Sequence, residues 1–136
     1  MTKLLITMLL SLIIPTVADA PIRPISVSLP TLFQIRAATK VVASWYGRSF
    51  HNAKTASGAK FSKFGLSAAH RTLPFHTILH LRNPSNNREV KVIILDRGPF
   101  ILTRDLDVSQ QAAWKLGYMS QGIASIEIIS ITLPNN

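Results

Sequence analysis

Hydrophobic and polar residues alternate with a short period in several stretches of the chain, and each stretch predicts a β-strand. Residues 41–46 are mostly apolar, residues 76–82 alternate in polarity, and residues 123–130 alternate again near the end of the chain. A period of two is typical of strands that bury one face. Residues 49–65 are instead polar and rich in small side chains, which predicts a long loop of the kind that often carries functional residues.

Another predicted strand carries the strongest apolar run. Residues 88–95 end in four consecutive apolar side chains, and a dense turn signal at residues 83–87 precedes them. The turn predicts a hairpin with residues 76–82. Because the apolar run is continuous, we expect a strand buried on both faces that stops at Gly98-Pro99.

One clear helix is predicted between this strand and the last one. Asp107 or Ser109 is suited to cap its start, it runs to Leu116, and Gly117 is suited to stop it. The residues expected on its buried face are Val108, Ala112 and Leu116. The pattern of four to six strands and one helix favours a small β-barrel over a helical or doubly wound fold.

Length and composition predict a single exported domain. The chain has 136 residues, of which 47% are hydrophobic, enough for one globular core. Residues 1–20 combine Lys3, an apolar stretch and Ala18-Asp19-Ala20, which predicts a signal peptide. Residues 21–39 contain three prolines and are predicted to be a linker, and residues 40–133 are predicted to form the domain.

The predicted location follows from the same features. The N-terminal apolar stretch is shorter than the roughly 20 residues that cross a bilayer, so no membrane span is expected after signal cleavage, and an uncleaved anchor is the alternative. The chain has no cysteine, hence no disulfide and no thiol for lipid attachment. We expect an exported monomer in the periplasm or cell envelope that is not a lipoprotein.

The formal net charge is +9, which favours anionic partners. For an exported protein these are wall polymers or phospholipid surfaces. Nucleic acid is not an expected partner, because the few aromatic residues are not interleaved with the basic ones.

The best candidate for chemistry is Asp96. It directly follows the buried apolar run and is the first residue of the segment Asp-Arg-Gly-Pro-Phe. Its carboxylate is therefore expected at the end of a buried strand, partly shielded from water. An Asp in that setting is suited to general acid or base catalysis. The alternative is a structural Asp that hydrogen-bonds the following backbone or pairs with Arg97.

Other constellations are weaker. His76 and His80 lie four residues apart on a predicted strand, without a third ligand at recognisable spacing, so we expect no metal and no cofactor. A triad of Ser67, His70 and Asp96 can be drawn, but Ser67 lacks the sequence context of a nucleophile elbow.

Five segments in order resemble the RlpA-like (rare lipoprotein A) family over residues 41–129. The segments are Ala43-Ser44-Trp45-Tyr46-Gly47, Thr55-Ala56-Ser57-Gly58, Ala68-Ala69-His70-Arg71-Thr72-Leu73-Pro74-Phe75, Asp96-Arg97-Gly98-Pro99-Phe100 and Asp105-Leu106-Asp107-Val108-Ser109. The resemblance implies a six-stranded double-psi β-barrel with one or two short helices. It also implies an endolytic transglycosylase that cleaves peptidoglycan glycan strands, preferably those free of peptides.

The resemblance assigns roles to residues at matching positions. Asp96 would act first as acid and then as base while the C6 hydroxyl of muramic acid attacks, which leaves a 1,6-anhydro end. His70 would bind substrate or orient Asp96. The residues implied to line the substrate groove are Trp45, Tyr46, Thr55, Ser57 and Arg97. Core packing or loop capping is the alternative role for the groove residues.

One departure from the family pattern favours a different function. Members usually continue Thr-Ala-Ser-Gly with Glu and place an Asp three residues later, where this chain has Ala59 and Ser62. Lys60 and Lys63 make the same loop more basic. The alternative hypothesis is therefore a non-catalytic wall-binding module that acts in the manner of expansins, which share the barrel.

Overall fold

The computed structural model describes residues 38–135, in which six strands close into a barrel. The predicted signal peptide and residues 21–37 of the predicted linker lie outside the described residues. The strands are β1 (Thr39–Tyr46), β2 (Ser67–Ala69), β3 (Ile78–Asn83), β4 (Arg88–Asp96), β5 (Leu106–Ser109) and β6 (Ile123–Thr132), and the helix α1 is Gln110–Leu116. A 3-10 turn at Arg48–Phe50 follows β1. The expected mainly β, six-stranded barrel with one or two short helices is confirmed.

The barrel mixes parallel and antiparallel neighbours. Its strand order is β1-β5-β2-β4-β3-β6, with β6 closing onto β1. The pairs β1/β5 and β2/β4 are parallel, whereas the other four are antiparallel. The predicted hairpin is confirmed as β3/β4, with Asn83 paired to Arg88 at the turn. The parallel pairing places the C-terminal end of β1 beside that of β5, and the C-terminal end of β4 beside that of β2. The last residues of these strands therefore lie near one another.

The core fills the barrel with inward-facing aliphatic side chains. Leu79 and Leu81 on β3 are fully buried, as are Ile94 on β4 and Ile126 on β6. Each side chain of this size contributes about 1.5–3 kcal/mol when it leaves water. Helix α1 packs Ala112, Ala113 and Leu116 against this core. In the part of the chain that the structure describes, no helix is long and apolar enough to cross a membrane.

The expectation that residues 88–95 are buried on both faces is wrong. Val90, Val92 and Ile94 are buried, but Lys91 is exposed and Ile93 is only partly buried. A barrel strand has one face toward the core and one toward the outside, whereas burial on both faces requires a second covering layer.

The expected helix is confirmed, with one correction at its start. The Ser109 side chain accepts a hydrogen bond from Ala112 N, and Gly117 ends the helix with a φ of 77°, in the left-handed region that glycine favours. Asp107 and Val108 belong to β5 and not to the helix. Val108 is nevertheless fully buried, because it faces the barrel interior from the strand.

Candidate active site

A cleft of about 500 Å³ lies at the end of the barrel where β1 and β4 finish. Its lining residues are Ser44, Trp45, Tyr46, Phe50, Ala69, Asp96, Arg97, Gly98, Pro99, Phe100, Ile101, Arg104 and Asp107. Four of the predicted site residues, Trp45, Tyr46, Asp96 and Arg97, thus meet in one cleft. The predicted site residues Thr55, Ser57 and His70 lie beside it and do not line it.

The Asp96 carboxylate is held by two backbone N–H groups. Its Oδ1 atom accepts hydrogen bonds from Ala56 N and Arg97 N, both at 2.9 Å. Within residues 38–135, no hydrogen bond reaches Oδ2 and no ion pair forms with the Arg97 guanidinium. The expected structural role of Asp96 is therefore present at one oxygen, while the other oxygen is left without a protein partner in a cleft.

The loop that supplies Ala56 N is organised by Thr55 and Ser57. Their hydroxyls lie 2.9 Å apart, and the buried Thr55 hydroxyl donates to the Ala59 carbonyl at 2.8 Å. Ser57 N donates to the Leu95 carbonyl at 3.1 Å. These contacts attach the loop to the end of β4, so both hydroxyl residues position the partner of Asp96.

The Arg97 side chain clamps the segment that follows β2. Its Nη1 donates to the carbonyls of Leu73, at 2.9 Å, and His70, at 3.3 Å. Its guanidinium stacks over the Phe75 ring at 3.8 Å from the centroid. A planar guanidinium is suited to such combined stacking and hydrogen bonding, and here it holds His70 next to the cleft.

His70 is held as a neutral hydrogen-bond donor. Its Nδ1 accepts from the backbone N–H groups of Thr72 and Leu73, at 3.1 and 3.0 Å. Burial lowers the pKa of His70, and the charges of Arg71 and Arg97 lower it further. Because Nδ1 is an acceptor, the proton of the neutral ring lies on Nε2. No hydrogen bond joins the His70 ring to Asp96 in the described chain, although His70 N donates to the Asp96 carbonyl at 3.2 Å.

The two aromatic residues at the end of β1 are packed differently. Trp45 is half-buried, and its indole N–H donates to the Met119 carbonyl at 3.0 Å. The Tyr46 ring packs against Phe61 at 4.6 Å and against the edge of Phe50 at 6.0 Å between centroids. Neighbouring rings therefore cover much of Tyr46, and Trp45 is the better placed of the two to contact a sugar.

The Tyr46 hydroxyl is buried next to Asp96. Burial raises the pKa of Tyr46 far above its usual value, the negative charge of Asp96 raises it further, and the Ser67 hydroxyl acts in the opposite direction. No hydrogen bond of ordinary geometry satisfies this hydroxyl within residues 38–135. Tyr46 therefore stays protonated and presents a neutral O–H group beside the carboxylate.

A second carboxylate in the cleft, Asp107, was not predicted as a site residue. Its Oδ1 accepts a hydrogen bond from the Ser44 hydroxyl and lies 3.6 Å from Arg104 Nε. The signal was available, because Asp107 lies in one of the five matching segments. It was interpreted instead as a candidate helix cap.

The weaker constellations do not assemble into sites. His80 lies 2.9 Å from Glu89 on the outside of the barrel, and residues 38–135 contain no group of three potential metal ligands. Ser67 is buried on β2 and forms no hydrogen bond with His70 in the described chain. The loop of residues 47–66 has no acidic residue, and Ala59 instead offers its carbonyl to Thr55.

Residues 38–128, which include all of the barrel except the end of β6, match the family described as lytic transglycolase. The chain belongs to this family. The RlpA-like resemblance is confirmed by relatives of the same kind. The probable endolytic peptidoglycan transglycosylase RlpA of Aquifex aeolicus is 49% identical over 85 residues, which are 62% of this chain and 38% of the relative. The endolytic peptidoglycan transglycosylase RlpA of Campylobacter jejuni is 40% identical over 99 residues, which are 73% of this chain and 36% of the relative. The chain thus spans little more than a third of each relative's length.

Solved structures support the double-psi barrel fold of the family. The Streptomyces papain inhibitor matches with a TM-score of 0.57 at 17% identity, over 71% of this chain and 94% of the inhibitor. A mutant Clavibacter michiganensis expansin in complex with cellohexaose matches with a TM-score of 0.55 at 18% identity, over 74% of this chain and 53% of the expansin. Proteins this distant share the fold, and function has to be argued from the site.

Proposed function

We propose that this domain cleaves peptidoglycan glycan strands, preferably peptide-free ones, as an endolytic lytic transglycosylase. The observation that carries the proposal is Asp96: its Oδ1 is fixed by two backbone N–H groups and its Oδ2 has no protein partner in the described chain. A carboxyl group fixed at one oxygen and available at the other suits proton transfer to a substrate bound in the cleft. The names of the RlpA relatives support the choice of substrate.

In this mechanism a single carboxyl group serves twice. Protonated Asp96 donates its proton to the oxygen that links C1 of muramic acid to the next sugar, and the C1–O bond breaks. The C6 hydroxyl oxygen of the same muramic acid then bonds to C1, and the Asp96 carboxylate accepts the hydroxyl proton. The products are a new 4-hydroxyl end and a 1,6-anhydro end, and no water is consumed.

Other residues support this chemistry. His70 does not act as a base at Nδ1, since two backbone N–H groups occupy that atom. It lies beside the cleft, where its Nε2 proton can be donated to a part of the substrate that extends past the lining residues. Trp45 provides an apolar surface for a sugar ring, and Tyr46 forms the wall beside Asp96. Arg97 acts by holding the His70 segment.

Asp107 is a structural carboxylate in this account. Glycosidases that use water require a second carboxyl group as base or nucleophile. The Ser44 hydroxyl and the nearby Arg104 guanidinium already engage Asp107. This favours the single-carboxylate route over hydrolysis.

The alternative is a non-catalytic module that binds wall glycans in the manner of expansins. The observation that favours it is the basic loop at residues 47–66, which carries Lys54, Lys60 and Lys63 and no acid. If the acids that family members usually have there assist proton transfer, binding would persist in this chain without cleavage.

The proposed substrate requires export, because peptidoglycan lies outside the cytoplasmic membrane. The predicted signal peptide at residues 1–20 supports an envelope location. We propose that the domain acts there as a monomer on glycan strands.

The proposal is tested by incubating purified protein with peptide-free glycan strands and measuring fragment release by chromatography. Wild-type protein should release fragments and Asp96→Asn should not. Glu89→Gln is the matched control, because it removes an exposed carboxylate outside the cleft. Bound but uncleaved strands with wild-type protein would overturn cleavage in favour of the alternative.

A further inference from the structure

Helix α1 and the loop before β2 form a recessed aromatic patch outside the Asp96 cleft. Its cavity measures about 230 Å³ and is lined by Lys63, Phe64, Gln110, Gln111, Trp114 and Met119. Phe64 is 68% exposed and Trp114 is 59% exposed, so neither ring is needed to fill the core. Large exposed rings grouped around a concavity are typical of binding sites.

The patch is held in shape by backbone contacts. Gln110 and Gln111 lie four and three residues before Trp114, which places these side chains on one face of the helix. Gln111 N donates to the Lys63 carbonyl at 3.0 Å. The buried Ser109 hydroxyl donates to the Gly65 carbonyl at 2.6 Å. The loop that carries Lys63 and Phe64 is therefore fixed to the helix before any ligand binds.

The patch adjoins the cleft through Trp45. The Trp45 ring lines the cleft, while its N–H donates to the carbonyl of Met119, which lines the patch. A Cβ atom placed on Gly47 would lie 2.8 Å from the Trp45 ring and 3.1 Å from Gln110 Oε1. The Trp45 ring and Gln110 thus both lie against Gly47, where the cleft and the patch adjoin, and one ligand of sufficient length can reach both cavities.

The side chains of the patch match the chemistry of a muramic-acid-containing glycan. The negative faces of aromatic rings attract the weakly positive C–H groups of sugar rings. The Gln111 amide can donate to and accept from hydroxyl and N-acetyl groups, whereas the Gln110 amide oxygen is buried and cannot accept from a ligand. The Lys63 ammonium lies 4.9 Å from the centre of the Phe64 ring, and no carboxylate pairs with it among residues 38–135. It is therefore available to the lactyl carboxylate of a peptide-free muramic acid.

We propose that this patch is a second glycan subsite, which binds a part of the same peptide-free strand that extends past Trp45 from the cleft. The inference rests on the proposed function for its ligand. It adds a site on α1 that strengthens the binding of strands long enough to occupy the cleft and the patch together.

Binding of purified Asp96→Asn protein to peptide-free glycan strands, measured by calorimetry, tests the proposal. Adding Trp114→Ala should weaken binding of long strands about tenfold, the loss expected for one aromatic contact, and should change binding of a disaccharide, the shortest ligand tested, much less. Ile123→Ala is the control, since Ile123 is a 47% exposed aliphatic residue on β6 outside the patch. Phe64→Ser is a second variant, because Phe64 is 68% exposed in a loop and its replacement should leave the fold intact.

The role of Lys63 is tested with two ligands. Lys63→Gln should weaken binding of muramic-acid strands and reduce its dependence on salt, but should leave binding of N-acetylglucosamine oligomers unchanged, because these lack carboxylates. Lys115→Gln is the matched control, because Lys115 lies on α1 but does not line the patch.

The outcomes separate this inference from the proposed function. If Trp114→Ala and Phe64→Ser bind long strands as tightly as the parent protein while wild-type protein cleaves them, the second subsite is wrong and the proposed cleavage stands. If wild-type protein neither binds nor cleaves any glycan, both proposals are wrong.

Discussion

Two substitutions at Asp96 separate its structural role from its proposed chemical role. The Asp96→Asn side chain keeps an oxygen that can accept the hydrogen bonds from Ala56 N and Arg97 N, both 2.9 Å long. Asp96→Ala removes both acceptors. The two variants should therefore differ in stability and agree in activity.

The expected magnitudes follow from the type of bond that each change removes. A hydrogen bond to a charged group contributes about 1.5–3 kcal/mol, and a neutral one about 0.5–1.5 kcal/mol. Ala56 is exposed, so water can replace part of what is lost. We expect Asp96→Asn to lower the free energy of unfolding by about 1 kcal/mol and Asp96→Ala by about 2–3 kcal/mol. Neither variant can transfer a proton from a carboxyl group, so cleavage should fall by about 100-fold or more in both.

Urea unfolding curves and cleavage assays on the same preparations check these values. If Asp96→Asn is as unstable as Asp96→Ala, the two N–H groups are not held as the geometry indicates. If the stable Asp96→Asn variant cleaves glycan at nearly the wild-type rate, Asp96 is not the acid, whatever the stability data show.

Three further predictions concern stability. Burial raises the pKa values of both Tyr46 and Tyr118, so above about pH 10 the unfolded chain should release their protons while the folded chain keeps them. The free energy of unfolding should therefore fall as the pH rises above about 10. Phenolate absorbance should appear only when the protein unfolds. Burial and nearby cations lower the pKa of His70 from 6.5, so the unfolded state binds the proton better and the free energy of unfolding should fall as the pH drops below about 6.5. This fall should be missing from the unfolding curves of His70→Gln. A pH profile that is the same in this variant and in the wild type would contradict the prediction. Ser109→Ala removes the helix cap and the 2.6 Å hydrogen bond to the Gly65 carbonyl, and should lower the free energy of unfolding in urea by about 2–3 kcal/mol. Ser120 is exposed, so Ser120→Ala should leave this free energy almost unchanged. Equal losses in the two variants would refute the role of Ser109 as a cap.

The elements that were predicted correctly are those with local signals. The β3/β4 hairpin is marked by its turn residues, and α1 is marked by Ser109 and Gly117 at its ends. The short strands β2 and β5 were not predicted, because three or four residues are too few to show a period. Both strands are stabilised by pairing with strands that are distant in sequence, β2 with β4 and β5 with β1. Such pairing produces no pattern within a short stretch of sequence.

The site was predictable to a similar degree. Asp96 could be located because the apolar run of β4 leads directly to it. The positions of Thr55, Ser57 and His70 relative to the cleft could not, because they depend on how two loops fold back onto the end of β4. Asp107 lies in a segment that resembles the family, but its position shortly before α1 also fits a helix cap, and the pairing of β5 with β1 is what places it opposite Ser44 in the cleft.

The most direct test of the central claim is mass spectrometry of the products formed from peptide-free glycan strands in water enriched in ¹⁸O. The single-carboxylate mechanism predicts 1,6-anhydro ends without ¹⁸O in the wild-type digest, and no such ends with Asp96→Asn. New reducing ends that carry ¹⁸O, in excess of those in the Asp96→Asn digest, would show that water is the nucleophile and would contradict the account.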